Sequence, residues 1–190
     1  MIKIGKQNNK QINKKNIETM RCSTIIKEEE IKTIKDWINP NETYNFELLY
    51  KASRDGDEVI TFHHLCDGKG PTLVVIKNSS DCRFGGFASV PWSYSKNGDG
   101  EWVSDDKAFI FSLDSKKKYP VVNKEYALYH HAGYGPTFGR AHDIYICHLC
   151  LHQGSSSCKA GYDYDAKFEE MTKGKLSFLI TDYEVYLVKK

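Results

Sequence analysis

Beyond Pro71 the chain is built from short apolar runs, each closed off by glycine, proline, asparagine or aspartate, and this punctuation constrains the fold more than any other feature. Residues 72–77 and 83–90 flank Asn78-Ser79-Ser80-Asp81, a hairpin by turn chemistry. Runs at 108–113, 121–122, 126–131, 143–149, 176–180 and 184–188 continue the pattern, and residues 46–52 precede it. All are strand-sized and too short for stable isolated helices. Gly85-Gly86 inside one of them predicts a bulge or a close approach of backbone. Residues 93–106 are polar and read as a loop.

Only two segments carry a helical period, both before the strands. In 28–38, Ile31, Ile34, Trp37 and Ile38 share one face with Lys32 and Lys35 opposite, and Asn39-Pro40 stops the helix. Glu28, Glu29 and Glu30 suit the positive end of its dipole. A second helix carries Val59, Phe62 and Cys66, with Asp57 or a neighbour as its cap and Gly68, Gly70 and Pro71 beyond its end. The expected class is α+β, mainly β: an antiparallel β-sandwich flanked by at least two helices.

Charge divides the chain. Of 27 basic and 25 acidic residues, the first 21 positions hold six basic and one acidic, leaving 21 and 24 for the rest, or −3. Residues 1–21 therefore read as a basic, flexible arm and 22–190 as one domain, too acidic for a dedicated nucleic-acid site. No apolar stretch reaches membrane-spanning length, and neither terminus matches a secretory or lipidation signal. A cytoplasmic monomer is expected, with its six cysteines as reduced thiols.

Each candidate for chemistry meets a structural explanation. Cys147 and Cys150 have zinc-ligand spacing, but a strand through 143–149 would point them to opposite faces. Counting a calcium loop from Asn97 puts Ala108 where a bidentate glutamate is required. Cys66 ends a helix beside Asp67, where negative charge disfavours a thiolate. Asp67-Gly68-Lys69-Gly70 follows a helix instead of opening one, so it is no phosphate loop. His142 and Asp143 with a nearby serine could form a weak hydrolase, and an exposed thiol could handle peroxide directly. The residues favour no catalytic centre, no cofactor and no metal.

Taken in order, FELLYKASRDG (46–56), CDGKGPTL (66–73), FGGFASVPW (84–92), AFIFSL (108–113), GPTFG (135–139), HDI (142–144) and EVYLV (184–188) resemble the TLDc domain family over about residues 24–188. Arg140 departs from the small residue expected after the GPTFG-like turn, and 155–165 resembles the family's loop only loosely. The resemblance implies a β-sandwich with helices, no established catalytic centre, a link to oxidative-stress protection, and in several members binding to the V-type proton-pumping ATPase. The motifs single out Arg54, Asp55, Gly56, Asp67, Gly135, Phe138, Gly139, His142 and Asp143 as partner-binding or structural residues. Positive φ is expected at Gly56, and the glycines around Phe138 should let its ring tuck beneath a close-packed loop.

Overall fold

The computed structural model describes residues 23–94 and 98–190; the basic arm lies outside them, as do Cys22 and Asn97. Among the described residues twelve strands form two antiparallel sheets. The first, sheet A, contains β1 (Asn45–Lys51), β2 (Thr72–Asn78), β3 (Arg83–Ala88), β5 (Phe109–Ser112), β6 (Lys117–Pro120) and β12 (Ile180–Lys189), in the order β1-β12-β2-β3-β5-β6. Sheet B contains β4 (Glu101–Val103), β7 (Leu128–His130), β8 (Thr137–Phe138), β9 (Ile144–Tyr145), β10 (Ser156–Ser157) and β11 (Ser177–Phe178), in the order β11-β10-β9-β8-β7-β4. Short helices complete the chain: α1 (Ile31–Ile38), α2 (Ala52–Asp55), α3 (Val59–Cys66) and α4 (Phe168–Thr172). The mainly-β sandwich with helices is the expected architecture.

Strand alternation on sheet A serves two cores. Val74, Ile76, Phe84 and Ile110 face sheet B, where they meet Leu128, Phe138, Ile144 and Phe178. Leu73, Val75, Phe87, Phe109 and Phe111 face the other way and are covered by Ile31 and Ile34 of α1. This double burial explains why β2 and residues 185–188 of β12 read as almost unbroken apolar runs. The expected stripe on α1 is present, with Trp37 packed 5.6 Å from Phe111. The three glutamates form a 3-10 turn (Glu28–Glu30) ahead of α1 instead of its first turn. Glu30 accepts the Lys27 backbone N–H at 2.9 Å and a bidentate pair from Arg83 at 2.8 and 2.9 Å, which ties α1 to sheet A.

Gly85-Gly86 proves to be the close approach and not the bulge, because pairing continues unbroken through both residues. A Cβ at Gly86 would sit 2.5 Å from the Phe138 ring, and one at Gly85 would sit 2.0 Å from the Val74 carbonyl oxygen. The two sheets can thus close on Phe138.

Four local expectations are corrected. The polar 93–106 segment contains β4, which pairs with β7. Pairing at 117–120 replaces the strand expected at 121–122; Val121 makes only an isolated bridge to Tyr164. The strand expected at 143–149 ends at Tyr145, and Leu149 takes the left-handed conformation with φ 52°. Asp57 does not cap α3: its carboxylate accepts the Leu151 N–H at 2.8 Å and lies 3.1 Å from His152 Nδ1.

Candidate functional site

Five of the candidate residues meet at the β8–β9 corner. Phe138, opposite Leu128 and Ile144, drives its ring into the inter-sheet core, edge-on to Trp92 at 5.5 Å. Gly139 follows with φ +78°, and a Cβ there would lie 1.9 Å from Asp143 Oδ2. Gly135 is tight for a different reason: its Cβ would press on Ile146 at 3.1 Å. Asp143 is fully buried and accepts N–H groups from Gly161, Tyr162 and Asp163 at 2.9, 3.0 and 3.3 Å or more, pinning the 161–163 loop. Burial pushes its carboxyl up to about 6 against those bonds, helped by the nearby Asp163 charge. His142 has φ +62° and stacks on Tyr145 at 4.9 Å. Burial, then Lys159, moves its basicity down. The oxygens a base would need are already spent on backbone.

Asp67 joins this region through a residue the sequence did not single out. It sits against His63 Nδ1 at 3.0 Å, while His63 Nε2 lies 3.1 and 3.2 Å from the carbonyls of Tyr134 and His131. Acceptors face both ring nitrogens, so His63 staples α3 to the loop before Gly135. Close by, Ser93 Oγ lies 2.9 Å from His130 Nδ1. Among the described residues this is the nearest approach to a nucleophile–base pair, yet there His130 Nε2 has no partner and no carboxylate orients the ring. Burial also drives His130 down to about 4, where it is a poor base at neutral pH.

Arg54, Asp55 and Gly56 stand apart on α2. Arg54 is half-exposed and pairs bidentately with its neighbour Asp55 at 2.8 Å through both Nε and Nη2. Asp55 also accepts the Lys51 N–H at 2.9 Å, closing the turn that α2 makes. Gly56 has φ +95°, as expected, with open space where a Cβ would be.

A family model described as the TLDc domain matches residues 19–189, nearly the whole chain. The chain belongs to this family. It is also similar to TBC1 domain family member 24 of Xenopus laevis, 29% identical over 94 residues, which is 48% of this chain and 17% of that protein. The chain thus spans a small part of that relative's length.

In this TLDc domain one charged cluster escaped sequence reasoning altogether. Glu184 of β12 is fully buried, and its carboxylate gathers the Ser23 hydroxyl, the Thr24 N–H at 3.1 Å, Lys51 Nζ at 2.9 Å and the Tyr186 hydroxyl at 2.8 Å. Burial alone would raise its pKa, and these donors outweigh that and lower it. Its only sequence signal is a glutamate inside an apolar strand, where an unpaired charge would be prohibitive. The cluster fastens residues 23–24 to β12.

The five cysteines of the TLDc domain within the described residues are free and buried. Burial raises the thiols of Cys66, Cys82, Cys150 and Cys158, that of Cys158 to about 12. For Cys66 burial is the leading cause, with Asp67 adding to it. Cys147 does not lie on a strand opposite Cys150. The strand has already ended, and Cys147 Sγ receives the Ser156 hydroxyl at 3.3 Å. Among the described residues no group of three His, Cys, Asp or Glu side chains is placed to hold a metal ion, and no helix is long and apolar enough to cross a membrane.

Proposed function

We propose that this TLDc domain is a non-catalytic protein-interaction module of the cytoplasm that contributes to oxidative-stress protection by binding a sector of the V-type proton ATPase. The family match across residues 19–189 carries this reading. The site supports it, because the chemistry-bearing residues are spent on the fold: Asp143 on a loop, His63 on two backbone carbonyls, Glu184 on residues 23–24. Protection then acts through the partner and not through the domain's own thiols, since buried thiols of raised pKa react slowly with peroxide.

The test is retention of the purified V1 sector of a V-type ATPase on the immobilised domain. Saturable, stoichiometric retention is expected. Failure to retain it at micromolar concentrations removes that partner. Turnover of acyl or phosphoryl ester substrates that disappears in His130→Gln or His142→Gln would overturn the non-catalytic part.

A further inference from the structure

The two outer faces of the sandwich differ in kind. Sheet A lies beneath α1, whereas sheet B turns a row of aromatic rings outward. Trp102 of β4 is opposite Tyr129 of β7. Pairing of Leu128 with Phe138 sets Tyr129 beside Thr137, and Thr137 is opposite Tyr145 of β9. Small Thr137 leaves a gap in the row, which Tyr134 from the β7–β8 loop fills, 5.7 Å from Tyr129 and 4.9 Å from Tyr145. Trp102 and Tyr129 are 4.3 Å apart, completing a continuous ribbon of four rings. These rings are partly exposed, Trp102 to 38%, although Leu128, Phe138 and Ile144 on the inner face are fully buried.

The polar atoms of the ribbon are idle. Among the described residues, the hydroxyls of Tyr129, Tyr134 and Tyr145 and the Trp102 indole N–H make no hydrogen bond. Those of Tyr134, Tyr145 and Trp102 can donate to an incoming acceptor, whereas the Tyr129 hydroxyl lies against Gly100. One margin of the ribbon is cationic. Arg140 and Lys159 each lie two residues beyond the ends of β8 and β10, strands that run in the same direction because both are antiparallel to β9. Arg140 caps the Tyr126 ring at 4.4 Å and reaches Asp163 only at 3.7 Å; Lys159 makes no ion pair among the described residues.

We propose that this ribbon is a docking surface for a proline-rich peptide segment in the polyproline II conformation that carries acidic side chains along one side. The inference rests on the interaction-module reading and gives it a surface. Prolyl rings stack on aromatic faces, and a polyproline II segment has backbone carbonyls without internal hydrogen bonds, which the idle donors can satisfy. Its acidic side would face Arg140 and Lys159. Trp, Tyr and Arg are also the residues that dominate interface energetics. Single-stranded nucleic acid, the other ligand that stacks on such rings, needs a cationic groove that follows its whole backbone, whereas Arg140 and Lys159 stand at one margin of the ribbon.

The test is titration of the full chain with a synthetic peptide of repeating Pro-Pro-Glu, followed by NMR shifts of amide and indole N–H groups. Saturable shifts confined to the ribbon are expected. Trp102→Ala and Tyr145→Ala should each weaken binding about tenfold, and Tyr145→Phe, which keeps the ring, should weaken it less. Arg140→Glu and Lys159→Glu should weaken binding of this peptide but not of a Pro-Pro-Gln repeat. Absence of saturable shifts, equal binding of a Gly-Gly-Glu repeat, or shifts produced only by oligo-dT would overturn the proposal. Retention of a protein partner by the folded Trp102→Ala/Tyr145→Ala variant would overturn this surface while leaving the interaction-module reading intact.

Discussion

Replacing Gly139 by alanine combines two costs that can be separated experimentally. The left-handed backbone at φ +78° costs a residue with a Cβ about 1–2 kcal/mol. The new methyl would also lie 1.9 Å from Asp143 Oδ2, so the carboxylate must leave its place. It then surrenders the N–H bonds from Gly161, Tyr162 and Asp163. At about 1 kcal/mol net for each such bond, the second cost is about 2–3 kcal/mol and the total about 3–5 kcal/mol. In an Asp143→Ala background the contacts with Oδ2 and Cγ disappear and only the one with Cβ, at 3.0 Å, remains, so Gly139→Ala should cost little more than its backbone strain of about 1–2 kcal/mol. Gly56→Ala is the control: at φ +95° with nothing nearby, it should cost about 1–3 kcal/mol in either background. Urea denaturation with linear extrapolation measures all of these. An equal cost of Gly139→Ala with and without the Asp143 carboxylate would refute the coupling.

Two buried groups should give opposite pH dependences that partly cancel in the parent. His130, lowered from 6.5 to about 4 by burial, contributes stability above pH 6.5 that is lost as pH falls toward 4. Asp143, raised from 3.8 to about 6, contributes stability below pH 3.8 that is lost as pH rises through 6. Asp143→Asn should therefore leave stability rising with pH across this window, and His130→Leu should leave it falling, each by about 3 kcal/mol; slopes of the same sign would contradict the assignment. Arg54→Ala should change stability by only about 0–1 kcal/mol, because the pair it breaks is half-exposed, and a thermal melt shifted by more than a few degrees would place Arg54 in the scaffold. Titration of native Cys22→Ser protein with an aromatic disulfide should show no rapidly reacting thiol, since the remaining five are buried; a fast stoichiometric burst would revive direct peroxide chemistry.

How much of the fold could be read from sequence depended on strand length. β2, β3, β5 and β12 announce themselves through β-branched and aromatic runs buried on both faces. Much of sheet B does not: β8, β9, β10 and β11 contain two residues each, too few to show any period. Ser156-Ser157 is strand only because Tyr145 and the Ser177-Phe178 pair flank it. β6 was missed for another reason. Its Lys117-Lys118 reads as surface, and lysines on an edge strand discourage pairing with other chains. At the candidate site, the glycines around Phe138 were legible because glycine has few other reasons to recur. His63 and Glu184 were not, because their partners are up to 71 and 161 residues away along the chain.

The place of β12 also bears on how the domain is made. This ten-residue strand stands between β1 and β2, and among the described residues β1 has no other neighbour in its sheet. During synthesis β1 leaves the ribosome more than a hundred residues before the strand it needs. At about 5–20 residues per second, it waits on the order of ten seconds with its backbone unpaired. The hairpin of β2 and β3 can close early, but sheet A cannot be finished until residues 180–189 emerge. Folding dominated by so distant a pairing is slow, and the nascent domain should be among the chains that engage a chaperone before release.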